Sequence, residues 1–352
     1  MRSVNLKKVC VQTLNWYCIY KQKYTFSICD VFAGSQSIMT STPVRETQYP
    51  VSENYTTPNM APADGNNILF VLFAVSNFII FILGVVGNAV VIWIAGFKLK
   101  RSVNTTWYLS LAISDLMLCF FLPFGVMDMV INEWAFGFFM CKFWSFFMSL
   151  NMFSSVFLLV IISVDRCVVV VFPVWAQNKR TIRKASVVVV VMWMTAGLLS
   201  TPAAVFHDVL SDDHNHSKFC FYSYMIDQNH FAEVAGEFIF GFVVPILIVV
   251  ICYVLIIQKL KTNQSARFKK PFKIMTMLIT VFLIWWLPYH TVALMDLNYE
   301  KYESFLPTGY VFVIILASAN SCLNPYLYAF MGQDFKRQCF ALLSKIENAI
   351  DV

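Results

Sequence analysis

Residues 157–172 read FLLVIISVDRCVVVVF, so Asp165 and Arg166 are opposite charges in a run that is otherwise apolar from about Phe143. Adjacent charges of opposite sign can end a helix as an ion pair, and the long stem of an arginine lets its head reach for water. Asp115, within LSLAISDLML, is a lone carboxylate in a second apolar run. Placing a charge that deep costs at least ~2.5–3.5 kcal/mol on insertion scales, so it calls for a partner or a role. Neutral oxygens are available: Asn151 and Ser155 share one helix face at i, i+4, and Asn320, Ser321 and Asn324 cluster further along. One carboxylate ringed by such oxygens suits a small hard cation such as Na⁺, or a cluster of water. A hydrogen-bonded structural knot without an ion is the alternative.

These residues need elements that hold them in an apolar medium. The chain has 352 residues, 59% of them hydrophobic and only 13% charged, about half the charge of an ordinary soluble domain. From Ile68 onward it divides into seven apolar stretches, about 68–97, 105–131, 139–172, 185–206, 231–258, 272–297 and 305–330. Each is near or above the ~20 residues that cross a bilayer, and helices satisfy their own backbone within one span. The expectation is an all-α membrane protein built as a seven-transmembrane helix bundle.

Beyond the start of the first stretch, every Lys and Arg except Lys142, Lys218 and Lys301 falls on alternate connections or on the tail. The positive-inside rule makes that side cytoplasmic and the N-terminus extracellular, in the plasma membrane. The formal charge of +6 is then a topology signal, with no nucleic-acid partner implied. Residues 1–67 read as a flexible extracellular tail; Met39 opens a second reading in which residues 1–38 are an upstream extension. Residues 68–330 form the membrane domain and 331–352 the cytoplasmic tail. On this topology the sequons at Asn54 and Asn215 can carry glycan, whereas those at Asn104 and Asn263 face the cytoplasm.

Of ten cysteines, Cys119, Cys252 and Cys322 lie within spans, Cys167 and Cys339 at the cytoplasmic side, and Cys10, Cys18 and Cys29 in the tail. Cys141 and Cys220 remain in the oxidising layer, and a bridge between them would pin the loop after the fourth span to the top of the third. Two free thiols are the alternative. Pro123, Pro202, Pro245, Pro288 and Pro325 each free a carbonyl one turn earlier and bend their helices, either as pivots or as packing features.

Gly87–Asn88, LAISD ending at Asp115, Cys141, Asp165–Cys167, Trp193, Pro245 with Tyr253, WWLPY at Trp285–Tyr289 and NPYLY at Asn324–Tyr328 fall in register over the spans. In order and spacing the chain resembles the rhodopsin-like G-protein-coupled receptors. PVWAQNKRT, FKKPFKIMT, LPYHT and NSCLNP with YAFMGQDFK are similar to the chemoattractant branch, the chemerin and formyl-peptide receptors, with the chemerin side favoured. The resemblance implies a receptor, without enzyme activity, for a chemoattractant peptide or protein, a chemerin-like ligand first. It implies an inhibitory-class G protein as partner, in leukocyte-type migration or inflammation. A formyl peptide, a cationic peptide or a lipid mediator is the alternative ligand.

The resemblance also implies a switch of Asp165, Arg166, Tyr253, Phe282, Trp286, Pro288, Asn324, Pro325 and Tyr328. Arg166 is held by Asp165 at rest and released as the sixth helix swings out. Here the base of the sixth span, ARFKKPFK, has no acid to hold Arg166, and Lys269 and Lys270 repel it. The Na⁺ ligands become Asp115, Asn151, Ser155, Asn320 and Asn324, with no other cofactor.

Counting outward from these anchors, the ligand chamber is lined by Asp128, Met148, Ser149, Phe153, Glu233, Glu237, Tyr289 and Asp296, with His207 near the end of the fourth span. Glu233 and Glu237 form an i, i+4 acidic pair where such relatives tend to be basic. Two carboxylates that close repel unless a cation joins them, which suggests a ligand carrying Arg, Lys or an amine. A water-filled vestibule is the alternative. His207, Asp212, Asp213, His214 and His216 match no compact zinc pattern.

A transporter relaying protons or Na⁺ through Asp115 is a rival reading, weakened by the lack of an internal repeat or paired broken helices. An intramembrane enzyme lacks a nucleophile elbow, paired carboxylates or a metal-spaced His motif. In the tail, Phe335, Phe340 and Leu343 form the apolar stripe of a short amphipathic eighth helix, with Lys336 and Arg337 toward lipid and Cys339 a candidate for palmitoylation. Ser344 is its one hydroxyl from Gly332 onward, so the tail is expected to add little to arrestin recruitment, which needs phosphate clusters.

Overall fold

The computed structural model describes residues 64–131, 133–211, 218–222, 227–262, 269–331, 335, 337–341 and 344. Helix α1 runs Asp64–Trp93 and closes in a π turn, Ile94–Lys98. It is followed by α2, Val103–Ile131, α3, Gly137–Val171, and a short connecting helix α4, Pro173–Lys179. Helix α5, Ile182–Phe206, leads into strands β1, His207–Ser211, and β2, Lys218–Tyr222. The fifth span comprises α6, Asp227–Phe238, a π turn, Ile239–Val243, and α7, Val244–Thr262. The sixth is α8, Lys269–Asp296; the four-residue α9, Tyr299–Tyr302, precedes α10, Leu306–Met331.

Six of the spans, from Ile68–Lys98 to Ile279–Asp296, are long and apolar enough to cross a membrane, and α10, at 26 residues, is the seventh long helix. Their bounds follow the apolar stretches read from the sequence. Among the described residues, the all-α expectation is amended by the antiparallel hairpin β1–β2, in which Val209 pairs with Cys220. Residue 335 and segment 337–341 are also helical, while Lys336 and Leu343 lie outside the described residues.

The third span is the axis of the bundle. Its buried positions include Ser145, Ser149, Asn151, Ser154, Ser155 and Ser163 among large apolar side chains. Lipid tails are as apolar as leucine, so helices in a membrane associate through close packing and polar contacts, and small hydroxyl residues allow that approach. Ser163 spends its hydroxyl on the carbonyl of Leu159 at 2.8 Å, which leaves no orphan donor. By contrast α5 turns Val187, Val190, Val191, Met194 and Leu198 outward, an i, i+3, i+4, i+7 stripe suited to acyl chains.

Close approach fixes the first span: a Cβ on Gly84 would collide with Cys119 Sγ, so glycine lets α1 meet α2 there. Asn88 Nδ2 then donates to the carbonyls of Gly84 at 3.0 Å and of Ser321 at 2.9 Å, tying α1 to α10.

Prolines interrupt α2, α5, α8 and α10 at Pro123, Pro202, Pro288 and Pro325. Pro245 sits just after the π turn of the fifth span, whose wider ring brings the Val244 N–H to the Ile239 carbonyl. A proline lacks an N–H and collides with the carbonyl four residues back, and the wide turn accommodates both.

Candidate functional site

One end of the bundle carries the disulfide. Cys141, at the start of α3, is joined to Cys220 of β2 across 79 residues, with a Cα–Cα distance of 5.5 Å. The main-chain N–H of buried Trp134 donates to Lys218 O at 2.7 Å, so the α2–α3 connection holds the same strand. Lys142 Nζ donates to the carbonyls of Ala204, Val205 and His207 at 3.1, 3.2 and 2.7 Å, capping the C-terminal end of α5. His207 is buried, and its ring N–H donates to Ala203 O at 2.6 Å. Burial lowers its pKa to about 3, with nearby Lys142 acting the same way. A neutral His207 therefore stands where α5 passes into β1.

The residues expected to line a ligand chamber are carried by α2, α3, the fifth span and α8. Glu237 Oε2 accepts from Tyr289 OH at 3.2 Å, and His230 Nε2 stands 3.3 Å from Asp296 Oδ2. Both contacts tie the fifth span to α8. Asp128 on α2 and Ser149 on α3 are buried, and Met148 packs partly buried against Ile80, Leu118, Leu122 and Cys322. Phe153 lies deeper, 2% exposed in the central core and 5.8 Å from the Phe157 ring.

The floor of the chamber is aromatic. Trp286 is buried, and Phe282 stacks on Phe242 with centroids 5.6 Å apart. His290 occupies a box formed by Phe238, Phe242, Trp286 and Tyr289, at centroid distances of 6.0, 5.4, 6.5 and 5.2 Å. The π turn places Gly241 against it, where a Cβ would lie 3.4 Å from the imidazole Cε1. Pro288 stands between Trp286 and His290 in sequence, so a change in the bend of α8 moves both.

Midway along the bundle Asp115 is fully buried. Asn324 Nδ2 donates to its Oδ2 at 2.7 Å, and Ser155 Oγ to its Oδ1 at 3.3 Å. Asn151, beside this carboxylate, also donates to the carbonyl of Ser114 at 3.0 Å and to its hydroxyl at 3.1 Å. Asn320 is buried with neither amide atom hydrogen-bonded, and Asn88 Oδ1 and Asn324 Oδ1 also lack a partner among the described residues. Unsatisfied buried oxygens beside a carboxylate fit a hard cation, so the donor set is chemically suited to Na⁺.

At the opposite end lies the Asp-Arg pair. Arg166 Nη2 is 3.3 Å from Asp165 Oδ2. Arg180 makes the closer pair, with Nε 2.6 Å from Oδ1 and Nη2 2.9 Å from Oδ2. Both arginines also donate to Asn104 Oδ1 at the start of α2. Thr276 Oγ1 of α8 donates to Tyr253 OH of α7 at 3.4 Å. Tyr328 is carried on α10 three residues beyond Pro325. Phe335 is buried against Tyr108, with ring centroids 6.3 Å apart, whereas Phe340 is exposed. Cys339 packs partly buried against the core, and burial raises its thiol pKa.

The sequence pointed to the acidic pair, the Asp115 cluster and the Asp165–Arg166 pair, but not to Arg180 or Asn104 beside them. Arg180 entered only as one of several topology charges and Asn104 only as a sequon. His230 carried no signal, and His290 entered only within LPYHT. Asn54 and Asn215 lie outside the described residues.

A seven-helix membrane bundle with a hairpin tied to α3 by a disulfide, a buried central carboxylate and a cluster of charged side chains at the far end has the architecture of a transmembrane receptor. Residues 87–328 match the family described as 7 transmembrane receptor (rhodopsin family), and the chain belongs to it. It is a receptor rather than an enzyme. It is 40% identical over 288 residues to chemerin-like receptor 1 of Rattus norvegicus, covering 76% of this chain and 77% of the relative. With the C3a anaphylatoxin chemotactic receptor of Oncorhynchus mykiss it shares 38% over 320 residues, 84% and 87% of the two chains. The formyl peptide receptor-related sequence 1 of Mus musculus is 36% identical over 324 residues, 87% and 92% of the two chains.

Proposed function

We propose that this receptor detects a chemoattractant peptide or protein, with a chemerin-like agonist as the first candidate. It is inserted with its N-terminus outside the plasma membrane and activates an inhibitory-class G protein. The acidic side chains carry the reading: Asp128 is on α2, Glu233 and Glu237 are on the fifth span, and Asp296 is on α8, which also holds Phe282 and Trp286, while Asp165 and Arg166 are on α3. A basic group of the agonist seats between Glu233 and Glu237, where charge-assisted hydrogen bonds outweigh those of a neutral chamber. The bend of α8 at Pro288 then carries the displacement of Trp286 to the far end, where release of Arg166 opens the bundle to the G protein. The names of the relatives, which cite chemerin, an anaphylatoxin and formyl peptide, support a chemoattractant.

A screen of chemerin protein, formyl peptides, cationic peptides and lipid mediators for nucleotide exchange on added heterotrimers tests this. Chemerin should act through the inhibitory class. A response confined to formyl peptides or lipids would reassign the ligand, and solute flux in liposomes without exchange would make the chain a transporter.

Asp115, Asn151, Ser155, Asn320 and Asn324 would hold Na⁺ in the resting state. A bound Na⁺ supplies positive charge beside Asp115. Because an ion shifts an equilibrium only by its differential affinity for the two states, Na⁺ should lower agonist affinity. Asp115→Asn is expected to abolish that salt effect; sodium sensitivity persisting in the variant would place the ion elsewhere.

A further inference from the structure

We infer that Arg180 is a positioning residue for activation: it takes the carboxylate of Asp165 away from Arg166 and so keeps the receptor poised for release of Arg166. The inference rests on reading Asp165 and Arg166 as the switch, and needs neither the identity of the agonist nor the class of G protein.

Arg180 is placed by local structure. It follows Lys179, the last residue of α4, with its N–H on Ala176 O at 3.1 Å, and precedes Thr181, whose Oγ1 accepts from Lys184 N and caps α5. Held between two helix ends in an extended conformation, with φ −81° and ψ 95°, it projects its guanidinium back onto α3. There it uses two nitrogens on the two oxygens of Asp165, at 2.6 and 2.9 Å, the forked geometry that favours arginine on a carboxylate. Arg166 is left with a single contact at 3.3 Å, a shared place on Asn104 Oδ1, and a buried Nε without a partner among the described residues.

The side chains of Asp165, Arg166 and Arg180 are only 9%, 14% and 24% exposed, so solvent compensates the lost contacts poorly. Two guanidiniums thus crowd one carboxylate and one amide oxygen, and the stronger claim belongs to the residue that need not move. In the resting arrangement Arg166 holds the carboxylate less firmly than Arg180 does, and its departure breaks one contact with Asp165 and its share of Asn104 Oδ1. Removing Arg180 should return both oxygens of Asp165 to Arg166 and tighten its hold.

The measurement is agonist-free nucleotide exchange per receptor in membranes, using full-length receptor fused in turn to Gα subunits of each class, with the most active fusion carried forward. Arg180→Ala should lower basal exchange roughly two- to fivefold, the scale of a partly exposed ion pair. Arg180→Lys, which offers one point contact, should fall between. In an Asp165→Asn background the Arg180 substitutions should have no further effect, because their action runs through that carboxylate. Surface density, counted by an N-terminal epitope, normalises each value and separates misfolding from function; Arg180→Gln replaces Arg180→Ala if the latter fails to reach the surface. Basal exchange that is unchanged or raised in Arg180→Ala would overturn the inference. So would an effect that persists without the Asp165 charge, or wild-type fusions silent with every class.

Discussion

At the disulfide-bearing end, carboxyl groups are spread over three spans, whereas at the opposite end two guanidiniums converge on one carboxylate. The first end contacts a phenol and an imidazole, Tyr289 on Glu237 and His230 on Asp296. The second is a compact knot of Asp165, Arg166, Arg180 and Asn104. The contrast extends to what holds each end: a covalent bridge from α3 to β2 ties the first, while among the described residues the second is held by ionic and amide contacts and by the packing of Phe335 on Tyr108. A buried charge is tolerated when paired, and a surplus of one sign favours arrival of the other. The proposed seat of a basic ligand group and the proposed release of Arg166 rest on this difference: carboxyl groups beside a covalently tied hairpin at one end, two guanidiniums on one carboxylate at the other.

The largest blow to the contrast is loss of the bridge. Cys141→Ser removes a cross-link over 79 residues, worth roughly 4 kcal/mol in the chain-entropy picture. Surface expression and agonist binding should both collapse, and near-normal thermal stability of the purified variant would show that the hairpin is held without its bridge.

Next comes the chamber itself. Glu237→Gln keeps the shape and an acceptor for Tyr289 but removes the charge, and agonist binding should weaken by about 1–3 kcal/mol, the range for a charged hydrogen bond. Unchanged affinity at normal expression would retire the acidic chamber as the seat of the ligand.

A smaller effect sharpens the comparison through pH. His207 has a folded-state pKa lowered to about 3, against about 6.5 when unfolded. Between those values the unfolded chain holds the extra proton, so the stability present above pH 6.5 is lost progressively as pH falls toward 3. From pH 7 to 5.5 the loss should be about 1 kcal/mol, seen as a lower melting temperature of detergent-purified receptor. His207→Gln should remove that component, and an identical pH dependence in the variant would mean that other groups carry it.

The smallest expected effect is at the tail. Ser344→Ala should leave agonist-driven arrestin recruitment nearly intact, because one hydroxyl cannot provide the phosphate cluster that arginines and lysines read. Loss of most of the signal would show that this end is regulated through its tail.

Much of the fold was legible because membrane helices announce themselves locally. Seven apolar stretches marked the spans, and Cys141 and Cys220 were the pair left by compartment. The hairpin was not anticipated, since His207–Ser211 and Lys218–Tyr222 are short and acquire their register from the bridge and from Trp134 on Lys218. Within the site, Glu233 with Glu237 and Asn151 with Ser155 were visible as i, i+4 pairs, a spacing the helix fixes by itself.

The sequence alone thus determined the spans, the charge asymmetry between connections, the prolines that bend the helices and the presence of a buried carboxylate. Each follows from side-chain chemistry and the 3.6-residue turn. Tertiary structure decided the partners. Asn324 meets Asp115 across 209 residues, Asn151 turns to Ser114, His290 enters an aromatic box opened by a π turn, and Arg180 outbids Arg166 for Asp165. Helix periodicity sets the face on which a residue stands, but only the packing of one helix on another fixes what lies opposite.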